Sequence, residues 1–225
     1  MKVFRYIVFS IAVLILLFSA GYILVGYFFN NNSNTNTNII SKTPVTESEI
    51  ESIKYSLEEP PSQSLRGKIA TMSGEIHWQS RTATESSQIT DLREIVQGET
   101  LWTKDSSQLK LVFDTVCGVE MSENTTIDVV QTLPVNLVFR QSEGSTIYEK
   151  TGEYPLSVRS LSLLSDIDGK IEISIDGDKN IIYVNVVSGS TTIAYNDADY
   201  VSHQLQISEG QTYTFNHDTR KGVLK

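Results

Sequence analysis

The most pronounced pattern in the sequence is a long apolar run near its start. No charged residue occurs between Tyr6 and Phe29. At about 1.5 Å per residue, a helix of roughly 24 residues is long enough to cross the hydrocarbon core of a bilayer, which is about 30 Å thick. We therefore predict a transmembrane helix over residues 6–29, preceded by a short tail of residues 1–5.

Basic residues flank this predicted helix closely on one side only. Lys2 and Arg5 precede it, whereas the first basic residue after it is Lys42. Because positive charge marks the cytoplasmic side of a membrane segment, we expect a single-pass protein with a cytoplasmic N-terminus and an extracytoplasmic C-terminal domain. A cleaved signal peptide is the alternative. Its apolar core is normally shorter than this run, so we favour an uncleaved anchor.

A polar stretch, residues 30–65, separates the apolar run from the rest of the chain. Its first part is rich in Asn and Thr and low in complexity, which is typical of a flexible linker. Thr46 and Glu49 then have the spacing of a capping box, and apolar residues follow at helical spacing. We predict a short helix at about residues 46–58 within this linker.

Beyond the linker, apolar and polar residues alternate with a period of two. In the clearest case, Ile171, Ile173 and Ile175 alternate with polar residues, and the turn-forming segment 176–180 follows. Such alternation indicates strands that bury one face and expose the other. Short strands separated by frequent turns predict an all-β domain, a predominantly antiparallel β-sandwich or barrel.

The same pattern sets the expected bounds of the domain and the details of its strands. We assign residues 66–218 to the all-β domain and residues 219–225 to a tail. Ile69 and Thr71 are expected to share one face of the first strand, because they are two residues apart. The segment 188–190, Ser-Gly-Ser, is expected to be a turn between two strands.

Several of these strand-and-turn segments also resemble a known family when they are taken in order. The matching segments are Gly67–Ile76, Val96–Asp114, Glu123–Ile127, Val186–Ile193 and Ile207–Gln211. Together they resemble the FecR-like domain, an all-β extracytoplasmic module of bacterial envelopes, over about residues 68–215. The resemblance implies an all-β fold and a location in the cell envelope. It also implies an alternative function, because relatives of this domain occur in iron-uptake regulators that contact a sigma factor.

Charge and cysteine content narrow the possible partners. The chain has a net charge of −9, and without Lys2 and Arg5 the part beyond the apolar run carries 16 basic and 27 acidic residues, a net charge of −11. Such a surface disfavours nucleic acid, because it repels phosphate. Cys117 is the single cysteine, so the chain forms no internal disulfide; we expect it to be a buried, unreactive side chain.

No motif in the sequence indicates catalysis or a cofactor. The three histidines share no metal-ligand spacing, and neither a phosphate-binding loop nor a nucleophile motif is present. The pairs Asp166/Asp168 and Asp176/Asp178 are compatible with calcium, but the segment 166–169 lacks the further oxygen ligands of an EF-hand loop, and turn chemistry explains the aspartates without a metal. We therefore predict no catalytic residue, no metal ligand and no cofactor, and the sequence identifies no binding residue.

Three functions remain compatible with these patterns. The favoured one is a membrane-anchored, non-enzymatic binding module of the bacterial envelope, whose partner is an unidentified envelope protein or glycan. Trp78, Trp102 and the tyrosines are candidates for its binding face, although core packing explains them equally well. The alternative is a transmembrane regulator of the FecR anti-sigma type that lacks the usual cytoplasmic domain. An envelope hydrolase is the third, because active sites on β-scaffolds can lack local motifs.

Overall fold

A computed structural model of the chain describes residues 63–114 and 116–225. The predicted tail of residues 1–5, the transmembrane helix of residues 6–29 and the short helix at about 46–58 lie outside the described residues, as does nearly all of the linker of residues 30–65. In the described ranges no helix is long and apolar enough to cross a membrane.

The described residues form strands and turns without a helix, which confirms the all-β prediction. The fifteen strands are β1 (Gly67–Ser73), β2 (Ile76–Gln79), β3 (Ser87–Gln88), β4 (Glu94–Ile95), β5 (Thr100–Thr103), β6 (Gln108–Phe113), β7 (Cys117–Met121), β8 (Thr126–Leu133), β9 (Asn136–Lys150), β10 (Leu156–Ser160), β11 (Leu163–Asp176), β12 (Ile181–Asn196), β13 (Ser202–Ser208), β14 (Thr212–Asn216) and β15 (Lys221–Leu224). Strand β15 pairs with β14, so the predicted tail of residues 219–225 contains a strand of the sheet.

All fifteen strands belong to one sheet, in which neighbouring strands are mostly antiparallel. The parallel ladder among the described strands joins β9 and β10, where residues 137–141 lie beside residues 156–160. The sheet is therefore mixed, with a single parallel pair near its middle.

Strand β9 bends sharply, which folds the sheet over on itself. Phe139 and Tyr148 are nine residues apart in this strand, a distance of about 30 Å in a straight strand. Their ring centroids are 5.9 Å apart. Between them, the buried Gln141 amide donates to the carbonyl oxygens of Gly144 and Ile173, which satisfies its polar atoms inside the bend. The two halves of β9 therefore lie in two facing layers.

Strands β11 and β12 cross between the same two layers at a pair of facing glycines. Gly169 and Gly189 are cross-strand partners with φ angles of +143° and +77°. A β-carbon on Gly169 would lie 2.2 Å from the carbonyl oxygen of Ser188, and one on Gly189 would lie 2.3 Å from that of Asp168. The prediction of a turn at residues 188–190 is therefore wrong. The chain continues through Gly189 as one strand, because only glycine allows this close approach of two backbones.

The three bent strands define two layers. The first layer has the strand order β3-β2-β5-β8-β9-β10-β11-β12-β13, and the second has the order β4-β1-β6-β7-β9-β11-β12-β14-β15. Each layer uses one half of β9, β11 and β12. The apolar core lies between the layers, and the edge-on contact of Phe113 with Phe139 at 5.3 Å is one example.

The alternation predicted from the sequence is largely confirmed, with one correction. Ile171, Ile173 and Ile175 are buried in β11 as predicted. In β1, however, the register shifts between Ile69 and Thr71. Because a bulge inserts an extra residue, Thr71 faces solvent and does not share the buried face of Ile69.

Candidate functional site

One row of side chains crosses the outer face of the first layer, and each member is the cross-strand partner of the next. In order, the row is Gln79, Thr100, Asp128, Arg140, Arg159, Leu164, Ala194 and Gln204. These residues come from eight strands, and inward-facing neighbours on the same strands are buried in the core. We call this surface the outer row.

A first open hollow of about 430 Å³ lies at the β2 end of the outer row. Arg81 and Arg140 line it, together with Asp128. The Arg140 Nε–H donates to Asp128 at 2.6 Å, and Asp128 also accepts the Thr100 hydroxyl. The stem of Arg81 lies against Gly98, where a β-carbon would be 2.9 Å from its Cδ. Gly98 therefore leaves the room that brings Arg81 into the hollow.

A second open hollow of about 460 Å³ lies further along the outer row. Arg159, Leu164, Tyr195 and His203 are among its lining residues. The rings of Tyr195 and His203 are stacked with centroids 5.1 Å apart. They point inward from this end of the first layer, because they follow the outward pair Ala194 and Gln204 in register and Tyr195 also lies 4.8 Å from the buried Phe215. Arg159 donates from Nε to the carbonyl oxygen of Leu161 at 3.2 Å, and it has no ion pair within the described residues.

His203 is held by an acidic side chain beside this hollow. Its Nε2 lies 2.7 Å from Oδ2 of Asp197. The hydrogen bond from His203, followed by one from the backbone N–H of Val201, holds the pKa of Asp197 below its ordinary value. The ionised carboxylate therefore fixes the orientation of the imidazole ring that stacks on Tyr195.

The structure also brings together a serine and a histidine that sequence reasoning did not connect. Ser162 Oγ, at the second hollow, lies 2.7 Å from Nδ1 of His217. The two residues are 55 positions apart, so no local motif could reveal the pair. Serine catalysis also needs a group that orients the histidine and donors for an oxyanion. In the described part of the chain no carboxylate is bonded to His217.

Aspartates of both pairs considered for calcium are engaged by other side chains; Asp176 forms an ion pair with Lys179 at 2.7 Å. Asp166 and Asp168 lie in strand β11, not in a turn; Asp166 accepts the hydroxyl of Ser157, and Asp168 lies 3.1 Å from Lys150. The described residues contain no group of three or more His, Cys, Asp or Glu side chains placed to hold a metal ion.

The remaining candidates from the sequence have ordinary structural surroundings. Cys117 is 1% exposed, and burial raises the pKa of its thiol to about 12. Trp78 packs partly against the core under the Arg93 guanidinium, 3.4 Å from the ring centroid. Trp102 lies half-buried on the outer face of the first layer, where it is the cross-strand partner of His77.

Comparison with known proteins gives a distant likeness only. No family model matches the chain, and no curated protein matches it. Among solved structures it is similar to two crystal structures, at 2.50 and 1.65 Å resolution, of a protein from Parabacteroides distasonis ATCC 8503 described as a "putative anti-sigma factor". In both cases the identity is 10%, the TM-score is 0.47, and the match covers 56% of this chain and 58% of the other. This is a coarse relation across little more than half of either chain.

Proposed function

We propose that the chain is a membrane-anchored, non-enzymatic binding module of the bacterial envelope, and that the outer row with its two hollows is its binding surface. The observation that carries the proposal is the placement of Arg140 and Arg159. They are direct cross-strand neighbours on one open face of a strongly acidic chain.

Like charges placed opposite one another on neighbouring strands are destabilising. Asp128 offsets the charge of Arg140, whereas Arg159 has no ion pair within the described residues. Three arginines and one acidic residue line the two hollows together. An anionic partner bound across this face would offset the remaining repulsion between Arg140 and Arg159. This relief of repulsion would favour binding.

Two other open hollows in the described residues are lined by more acidic than basic side chains, unlike the outer row. One of them is lined by Glu123, Glu143, Asp176 and Asp178 and by no basic residue. Electrostatic complementarity directs an anionic partner away from such a surface and toward the arginines. The outer row is therefore the preferred binding surface for an anionic partner.

The openness of the two hollows and the arrangement of their polar groups support a non-enzymatic function. Ser162 and His217 form the nearest approach to a catalytic pair, and the described residues place no carboxylate on the histidine. Open hollows with dispersed polar groups suit recognition better than chemistry, since catalysis requires converging groups held in a water-excluding site.

The proposed membrane anchor and extracytoplasmic location are inferred from the sequence. The apolar run of residues 6–29 supplies the anchor, and Lys2 and Arg5 on its short side favour a cytoplasmic N-terminus. In this arrangement the domain meets its partner outside the membrane.

The proposal is tested by capture from envelope extract with the full-length protein in detergent. The Arg140→Ala/Arg159→Ala double variant is compared with wild type and with Arg66→Ala. Arg66 is a matched control for Arg140, because both side chains are exposed and ion-paired; Arg66 pairs with Glu94 at 2.8 Å, next to β1 in the second layer. We expect the double variant to lose the captured material and the control to keep it.

Two results would overturn this function. Equal capture by all three proteins would remove the outer row as the binding surface. Turnover of an envelope polymer, lost in a Ser162→Ala variant, would make the chain a hydrolase. A regulator of the FecR type would instead lose a transcriptional response when residues 1–29 are replaced by an unrelated anchor, with capture unchanged.

A further inference from the structure

We propose that the ligand of the outer row is an anionic glycan chain that lies across both hollows, with its carboxylate or phosphate groups bound by Arg140 and Arg159. This inference rests on the proposed function, because it names the class of partner for the same surface. The proposed ligand is a glycan. Binding of an acidic protein segment at this surface instead would contradict the proposal.

The length of the site indicates a polymer. From Thr100 in the first hollow to Ala194 in the second, the outer row crosses five strand intervals. Neighbouring strands are about 4.8 Å apart, so the two positions are about 24 Å apart along the sheet. A small anion can contact the neighbouring Arg140 and Arg159, whereas only an extended molecule reaches from Thr100 to Ala194.

The arginines select the charge of that polymer. A guanidinium group presents a planar set of donors that matches the oxygens of a carboxylate or a phosphate. Nε of Arg159 is used by the Leu161 carbonyl oxygen, and no acidic group within the described residues takes its terminal N–H donors. Those donors are available to bind an anionic group on this face.

The polar groups on either side of the two arginines favour a glycan over a protein. The outer row and its hollows contain amide and hydroxyl side chains, including Gln79, Thr100, Asn196 and Ser202. Gln79, Thr100 and Ser202 each donate one internal hydrogen bond, and their oxygen lone pairs, with the amide N–H groups of Asn196, can bond to sugar hydroxyls. Protein interfaces instead centre on apolar and aromatic anchors that become fully buried. The large exposed apolar residues here, Val130 at 46% and Leu164 at 42%, lie in different hollows and form no joint patch.

The test is calorimetric titration of the full-length protein in detergent with purified polymers. Two anionic polymers are tested: polygalacturonate, which carries carboxylates, and a glycerol-phosphate teichoic acid, which carries phosphates. The neutral control is fully methyl-esterified polygalacturonate. The control for chain length is digalacturonate. We expect binding to at least one anionic polymer, none to the ester, and much weaker binding to the disaccharide. We expect Arg159→Ala to lose roughly 10- to 100-fold in affinity, as for a hydrogen bond to a charged group, and Arg66→Ala to lose none.

The outcomes separate this inference from the proposed function. Absence of binding to both anionic polymers, with arginine-dependent capture from envelope extract intact, would overturn the glycan and leave the binding surface. Equal or tighter binding of poly-glutamate at the same arginines would overturn the glycan in favour of an acidic protein segment. If anionic polymers bind but Arg159→Ala and Arg66→Ala behave alike, both the site and the ligand assignment fail.

Discussion

The facing glycines of β11 and β12 provide the sharpest test of the fold. We predict that Gly189→Ala destabilises the protein much more than the same substitution at two other glycines. Gly210 has a φ of +78° and open space around the position of a β-carbon, whereas Gly177 has open space and no positive φ. The three variants therefore separate backbone strain from the close approach of two strands.

The magnitudes follow from these geometries. Ala at Gly177 should leave the free energy of unfolding within about 1 kcal/mol of wild type, because it meets neither penalty. Ala at Gly210 should cost about 1–2 kcal/mol for the left-handed backbone alone. Ala at Gly189 has that cost and also a β-carbon 2.3 Å from the Asp168 carbonyl oxygen, which requires a backbone shift. A total of about 2–5 kcal/mol is expected there.

The assay is urea unfolding of the full-length protein in detergent, followed by tryptophan fluorescence. The chain has two tryptophans, Trp78 and Trp102, and both lie in the described domain. If Gly189→Ala costs no more than Gly210→Ala, Gly189 is an ordinary turn residue, as the sequence predicted, and the crossing of β11 and β12 between layers is refuted.

Three further predictions concern burial and location. Burial is the main cause that raises the pKa of Glu99 above its ordinary 4.5, so its stabilising contribution is complete below that pH and is lost as pH rises through the folded-state pKa. The unfolding free energy of wild type relative to Glu99→Gln should therefore fall as pH rises above 4.5 in urea titrations, and a constant difference would contradict this assignment. Cys117, with a thiol pKa of about 12, should react with a maleimide at neutral pH only at the rate of unfolding; rapid labelling of the native protein would show that the thiol is accessible. Tyr200 is 81% exposed, so a Tyr200→Cys variant should be labelled by a membrane-impermeant maleimide in intact or outer-membrane-permeabilised cells, and labelling only after lysis would reverse the proposed orientation.

Local patterns in the sequence were sufficient to predict the strands but not their path. The alternation of Ile171, Ile173 and Ile175 required nothing beyond the period of a strand. The crossing at Gly189 was missed because a Ser-Gly-Ser segment has the composition of a turn. Its true role depends on Gly169, twenty residues earlier and directly opposite in the hairpin. A pair of glycines separated by a predicted hairpin is the signal that could have revealed it.

The candidate site was less accessible to sequence reasoning, because its residues are ordinary when each is considered alone. Arg140 and Arg159 each occupy an outward position of an alternating strand, where charged residues are common. Only the parallel register of β9 and β10 makes them neighbours. The pairing of Ser162 with His217 likewise depends on tertiary contact, since their separation in sequence is unrelated to any motif.

The most direct test of the binding surface is photocrosslinking in living cells from two matched positions. Leu164 is 42% exposed in the outer row, and Tyr183 is 38% exposed on the outer face of the second layer. With a benzophenone side chain introduced at each position in turn, we predict an envelope crosslink from position 164 that disappears in the Arg140→Ala/Arg159→Ala background, and none from position 183. Crosslinking from position 183 alone, or equal crosslinking from both positions, would contradict the assignment of the outer row as the binding surface.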